Sequence, residues 1–336
     1  MEFAKLREYL GDVAQVFDVK QYRLLGGKAE GVRAIDIDNG AGLELTILPD
    51  RCMDFYRLKY KGKTLNFLTP TGIAAPSYFA EAAGGMGQMF FGGMMLTCGL
   101  RNIGLPCEEN GAYYGPHGNI TSVPAEHVNI HYFEENGAPA VSISGTMRDS
   151  GYGTRLLLKR TVTIRYGVNE VDLQDKVLND GFETSPLMVL YHFNVGYPLL
   201  CECSKLLLST REVMPRTQHA AEHAEKYLEI TPPAAGYEEM CYYHDLETDE
   251  NGWASAGIYN PKEKLGLKIL YDKSNLDHFV QWKMLAKGTF VTGLEPCNAT
   301  INGMADAREN GSLKLIEPGE EKQFHLKVRV YEQGMG

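Results

Sequence analysis

The sequence predicts an all-β sandwich, and three observations carry that expectation. Apolar and polar residues alternate with period two in segment after segment. Gly, Asn and Asp turns separate the segments, and no long helical periodicity comes between them. Residues 34–38 alternate and stop at Asn39-Gly40, and residues 43–48 resume the pattern, so the two read as a hairpin through an Asn-Gly turn. The same alternation returns at 141–145, 156–164, 171–177, 187–194, 265–271, 289–294 and 323–331. Helices are expected to be few and short, at 2–10 and 218–228. Neither an internal repeat nor a linker divides the chain, so a single domain over residues 1–336 is expected.

Composition narrows the function classes. Of 336 residues, 44% are hydrophobic and 23% charged, the balance of an ordinary globular chain. The formal net charge of −10, without a basic run, argues against nucleic acid as a partner, since that binding depends on Lys and Arg facing phosphates. The acidic balance also weakly disfavours a phosphorylated substrate. No apolar run approaches the roughly 20 residues that span a bilayer, so no membrane partner is expected. The first ten residues lack the basic stretch and apolar core of a secretory signal, which makes the cytoplasm the expected location. The seven cysteines form no Cys-x-x-Cys pair and read as reduced, mostly buried thiols, with Cys201 and Cys203 on one face of a strand. An exposed sheet edge would permit a homodimer.

Gly84-Gly-Met-Gly-Gln-Met-Phe-Phe-Gly-Gly-Met-Met95 departs from this pattern. It is either a buried irregular connection with Met filling gaps or the floor of a pocket; without Gly-Lys-Ser/Thr it is no phosphate loop.

The polar residues that stand out lie at the ends of strand-like segments beside Gly or Pro. They are Arg101 in Cys98-Gly-Leu-Arg-Asn-Ile-Gly104, His117 in Tyr114-Gly-Pro-His-Gly-Asn119, His192 in Leu190-Tyr-His-Phe-Asn-Val-Gly196 and Glu295 in Thr292-Gly-Leu-Glu-Pro-Cys-Asn298. Charged groups in such surroundings must be paired, exposed in a cleft or shifted in pKa. Singly, each has a plain explanation: a surface loop for His117, a hydrogen-bonded core histidine for His192, an edge carboxylate paired with Arg for Glu295. Arg51 and Asp54 in Leu48-Pro-Asp-Arg-Cys-Met-Asp54 form either a structural ion pair or, for Arg51, part of a pocket wall. Trp282, one of two tryptophans, is either core or a flat face for a sugar ring.

Taken together, their order and surroundings resemble the aldose 1-epimerase (galactose mutarotase-like) superfamily, and within it the DUF4432-like branch, a domain of unknown function. The motifs that carry the resemblance are Leu48-Pro-Asp-Arg-Cys-Met-Asp54, Gly115-Pro-His-Gly118, Tyr191-His-Phe-Asn194, Gln281-Trp-Lys283 and Gly293-Leu-Glu-Pro-Cys-Asn298, and it runs from about Leu43 onward. It implies a galactose-mutarotase-like β-supersandwich with a few short helices and a site on the concave face of one large sheet. Glu295 then falls on the catalytic base, His192 on the acid, and His117 on the histidine that holds the sugar near its ring oxygen. Arg101 falls on the sugar-binding Arg. Asp245, with His244 as a competing choice, falls on a substrate-binding Asp. Arg51 and Trp282 complete the expected substrate-binding set.

The implied activity is interconversion of the α- and β-anomers of a free sugar. Opening a hemiacetal takes a proton from the anomeric hydroxyl and delivers one to the ring oxygen. A carboxylate and an imidazole can do both near neutral pH, each transfer worth roughly 10²–10⁴-fold. This chemistry calls for no metal, nucleotide or redox cofactor. Three rival readings stand beside it: a metal-dependent isomerase or lyase using His127 and His131, a non-catalytic sugar sensor on the same fold, and another isomerisation or elimination of a sugar-derived substrate.

Overall fold

The computed structural model describes residues 3–109, 111–151 and 154–332, and in it the alternating segments become the strands of two large antiparallel sheets. The eleven-stranded sheet runs, in spatial order, Asp18–Arg23, Arg33–Asp38, Leu43–Leu48, Asp54–Tyr60, Met95–Leu100, Met188–Gly196, Thr289–Cys297, His278–Ala286, Met240–Leu246 and Thr210–Pro215, with Lys63–Thr64 paired to the side of Asp54–Tyr60. The eight-stranded sheet runs Lys205–Leu208, Trp253–Asn260, Leu265–Asp272, Glu321–Glu332, Glu170–Asn179, Thr154–Arg165, Ala138–Gly151 and Glu126–Glu135.

Period-two alternation decides what each face does. One face of the large sheet meets the second sheet in the main core, where Phe55, Phe193 and Leu294 share a cluster with Ile143, Val162 and Val328. Its other face carries a smaller apolar cluster that includes Leu96, Cys98, Leu190, Val280 and Cys297. Segments crossing that second face, among them residues 84–94, turn it into a cleft.

The main core also encloses a charged cluster. Arg160 is fully buried, donates to both carboxylate oxygens of Asp175 at 2.9 and 2.7 Å, and reaches Asp54 at 3.0 Å. Thr97 and Thr121 donate to Asp54 at 2.6 and 2.8 Å, and the Tyr191 hydroxyl donates to Asp175 at 2.8 Å. Burial nonetheless pushes the Asp54 carboxyl up to about 6, against the pull of Arg160. The partner of Asp54 is therefore Arg160, from a strand of the second sheet, and not Arg51.

Three local expectations change. The 34–48 hairpin closes through four residues, 39–42, because Asn39 is buried and its Oδ1 accepts from the backbone N–H of Ala41 and Leu43. The 218–228 segment divides into a helix, Gln218–Glu222, and a 3₁₀ turn, Ala224–Lys226; the 2–10 segment likewise becomes Phe3–Leu6 followed by Arg7–Tyr9, with Glu2 outside the described residues. Cys201 and Cys203 form a disulfide, because residues 201–203 lie in a turn that brings the two side chains together. Among the described residues no helix is long and apolar enough to cross a membrane.

Candidate functional site

His192 and Glu295 come together through strand register. The pairings Leu190↔Cys297 and Phe193↔Leu294 set His192 opposite Glu295 on neighbouring strands, on the cleft face of the large sheet. His192 Nε2 lies 3.3 Å from Glu295 Oε1, and both side chains are buried. Gly293, two residues before Glu295 and on the same face, leaves room for the carboxylate: a Cβ there would sit 2.1 Å from Glu295 Oε1. The Gly-Leu-Glu spacing is therefore a packing requirement of the site. Glu295 Oε1 and His192 Nδ1 are both buried without a hydrogen-bond partner among the described residues, and such atoms in a cleft call for a polar ligand.

The two residues line a cavity of about 310 Å³ together with His117, Trp282, Phe90, Arg216 and Glu239. The imidazole of His192 is packed on three sides by rings: Trp282 at 5.3 Å, Phe90 at 5.5 Å and His117 at 5.9 Å between centroids. His117 sits in the Gly115–Gly118 turn at φ 56°, and its Nδ1 faces the Gly104 N–H at 3.4 Å, which leaves its other ring nitrogen to carry the proton. The Trp282 indole N–H donates to Glu239 at 2.9 Å. Arg216 follows strand Thr210–Pro215; its backbone N–H donates to the Cys241 carbonyl at 3.0 Å, and its guanidinium makes long hydrogen bonds to Asn302 Oδ1 at 3.3 Å and the Ile301 carbonyl at 3.4 Å.

Burial governs the protonation of the pair. It pushes the Glu295 carboxyl well above the usual carboxylate range, with a further push from Glu239. It pulls His192 down to about 3, helped by neighbouring His117, and pulls His117 down to about 4, helped by Arg216. Both members of the pair are thus favoured in their uncharged forms, a carboxylic acid beside a neutral imidazole.

The other expected site residues lie elsewhere. Arg51 is fully buried and spends its donors on backbone carbonyls, Thr121 at 2.9 Å, Ala74 at 3.0 Å and Met89 at 2.7 Å. It braces from behind the segment that carries Phe90 and does not face the cavity. Arg101 pairs with Asp149 at 3.2 Å and lies over the Tyr114 ring in a separate, smaller cleft, so the cation of this cavity is Arg216. Asp245 is half exposed and held by Lys273 at 2.5 Å. His244 faces the other side of the sheet, bonded to Gln281 Oε1 at 3.1 Å. The acidic side chain that does line the cavity, besides Glu295, is Glu239. The 84–95 segment contributes Met86, Gly87 and Phe90 to the cavity wall. His127 is exposed on the edge strand Glu126–Glu135, and no group of three or more His, Cys, Asp or Glu is placed to hold a metal ion among the described residues.

Sequence reasoning missed Arg216 and Glu239 because neither stands out locally. Arg216 follows Pro215 with Arg211 five positions earlier, and Glu239 directly follows Glu238.

A family model described as Domain of unknown function (DUF4432) matches residues 29–330. The chain belongs to this family. Curated proteins give no match in sequence. Among solved structures, a candidate aldose 1-epimerase from Klebsiella pneumoniae superposes with a TM-score of 0.89 at 23% identity, covering 99% of this chain and 87% of that one. A galactose mutarotase-like protein from Clostridium acetobutylicum gives 0.67 at 15% identity, covering 95% and 100% of the two chains. A galactose 1-epimerase from Lactobacillus acidophilus gives 0.58 at 12% identity, covering 94% and 99%. This DUF4432 chain therefore has the galactose-mutarotase-like all-β fold.

Proposed function

We propose that the protein is an aldose 1-epimerase that interconverts the anomers of a free sugar, with Glu295 and His192 as the proton-transfer pair. The observation that carries this reading is the pair itself: a carboxyl and an imidazole 3.3 Å apart, buried at one point of a monosaccharide-sized cavity, each with an unpartnered atom. The two oxygens exchanged in mutarotation share one carbon, so adjacent groups can serve both. Glu295 takes the proton of the anomeric hydroxyl while His192 protonates the ring oxygen; rotation about C1–C2 and closure on the opposite face return both protons. The neutral pair favoured by burial is the form reached after ring opening, with the proton on Glu295. Trp282 offers a flat face to the C–H surface of the ring, and Arg216 and Glu239 supply a donor and an acceptor for its hydroxyls.

The test is equilibration of freshly dissolved α-anomers, followed by polarimetry or anomer-resolved proton NMR, with and without protein. Acceleration for one sugar, lost in Glu295→Gln, supports the reading. No acceleration across aldohexoses, pentoses and deoxy-sugars, together with retained sugar binding, would replace the enzyme with a sensor.

Three further outcomes are expected. The pair works only with one proton in total, and its second proton goes on near the depressed value of His192, about 3. The plateau of kcat/KM should therefore extend down to about pH 4, whereas an acid limb near 6.5, the ordinary histidine value, would contradict the buried pair. Arg216→Met should raise KM by about tenfold or more, the effect of losing a hydrogen-bonding cation. Arg101→Met should leave kcat and KM within about twofold, since Arg101 is engaged with Asp149; steady-state kinetics on both variants decides between them.

A further inference from the structure

Strand alternation places a second cavity behind the first. In His278–Ala286, Trp282 faces the proposed active site and Lys283 the opposite side; Glu239 and its neighbours Glu238 and Met240 divide in the same way. The second cavity holds about 290 Å³ and is lined by Lys283, His219, His223, Glu229, Tyr237 and Glu238, among others. Lys283 is only 5% exposed, yet its Nζ makes one hydrogen bond, to the Lys226 carbonyl at 2.9 Å, and no carboxylate forms an ion pair with it among the described residues. A buried ammonium without a counter-ion is costly, so the site makes the proton easier to lose and raises the share of free amine, whose lone pair is then available. Two imidazoles stand in the same cavity, His219 and His223, with ring centroids 4.7 Å apart.

From this geometry we infer that Lys283 is a nucleophilic lysine that captures a small hydroxyaldehyde, such as the open-chain form of a short sugar, as a Schiff base. Nζ attacks the carbonyl carbon, the two amine hydrogens leave with the carbonyl oxygen as water, and a C=N bond remains. Hydrolysis reverses the step, and neither oxidant nor reductant is consumed. His219 and His223 are placed to pass the protons, and Tyr237 and the two carboxylates pair with hydroxyls of the ligand. Burial independently draws the Lys283 ammonium down to about 8, against the opposing pull of Glu229. About a tenth of it is then free amine at pH 7, compared with less than about a thousandth of an exposed lysine. The inference does not depend on the activity proposed for the first cavity.

The test treats the whole purified chain with glyceraldehyde and sodium cyanoborohydride and measures adducts on each lysine by peptide mass spectrometry. At pH 7 Lys283 should label at least about tenfold faster than exposed lysines. Between pH 7 and 9 its rate should rise about tenfold and level off, while exposed lysines rise about a hundredfold. Lys283→Met should remove the fast adduct alone. Labelling of Lys283 no faster than that of exposed lysines, or rising with them through pH 9, overturns the inference; the wild-type pH series decides this even if the variant fails to fold.

Discussion

Glu295→Gln should lower kcat for mutarotation by about 10²–10⁴-fold while sugar affinity changes by no more than a few-fold. The amide keeps the shape of the carboxyl but can neither take nor return a proton. Shape matters here because the group is buried beside Gly293, where space for its Oε1 is already tight. The proposed mechanism needs both members of the pair, so His192→Gln should fall into the same range. The double variant should lose little more than either single one, as expected when two residues act as a unit. His127→Ala, on the exposed edge strand, should keep full activity. The measurements are kcat from anomer-resolved NMR and affinity from sugar titration. A Glu295→Gln protein with wild-type kcat would remove the carboxyl from the chemistry, and an inactive one that no longer binds sugar would give it a role in holding the ligand.

Arg160→Met should cost about 3–5 kcal/mol of stability, the largest effect expected of a single substitution away from the cleft. Arg160 is the only cation in contact with Asp175 and Asp54 among the described residues, and both carboxylates are fully enclosed between the sheets. Without it, two buried carboxyls must remain charged and unpaired or take up protons. The double change of Asp54→Asn and Asp175→Asn in the Arg160→Met background should recover part of the loss, because amides carry no charge to strand. Urea unfolding followed by circular dichroism reads both effects. A loss below about 1 kcal/mol for Arg160→Met would mean that water or neighbouring strands relax into the site. The cluster also bears on function, since Tyr191, bonded to Asp175, is the residue next to His192.

The alternation of residues 34–48 and the later segments was sufficient to identify an all-β fold, because a half-buried strand must present one apolar face whatever it packs against. Strand Met95–Leu100 escaped that reading: all six residues are buried, Thr97 is its one polar side chain, and it directly follows the Gly- and Met-rich segment that masks its start. His192, Glu295 and His117 stand out because each sits in a motif with Gly, Pro or aromatic neighbours, and Trp282 because tryptophan is scarce and flat; the structure places all four around one cavity. Arg51 and Arg101 stand out on similar grounds, and Asp245 through the resemblance alone. The structure places them against backbone carbonyls, Asp149 and Lys273 instead.

Local sequence thus determined the fold class and, through the resemblance its motifs carry, the pair of strands that hold His192 and Glu295. The first follows from the period of a strand; the second is held in motifs such as Gly293-Leu-Glu, where the structure shows that only a Gly leaves room for the buried carboxyl. Which cation and which second carboxylate complete the cavity was decided only by the tertiary structure. Arg216 and Arg101 are both arginines near strand ends, and Glu238 and Glu239 are adjacent identical residues. What separates them is which side of the sheet each side chain leaves and which partner waits there, and that is set by pairing between strands distant in sequence.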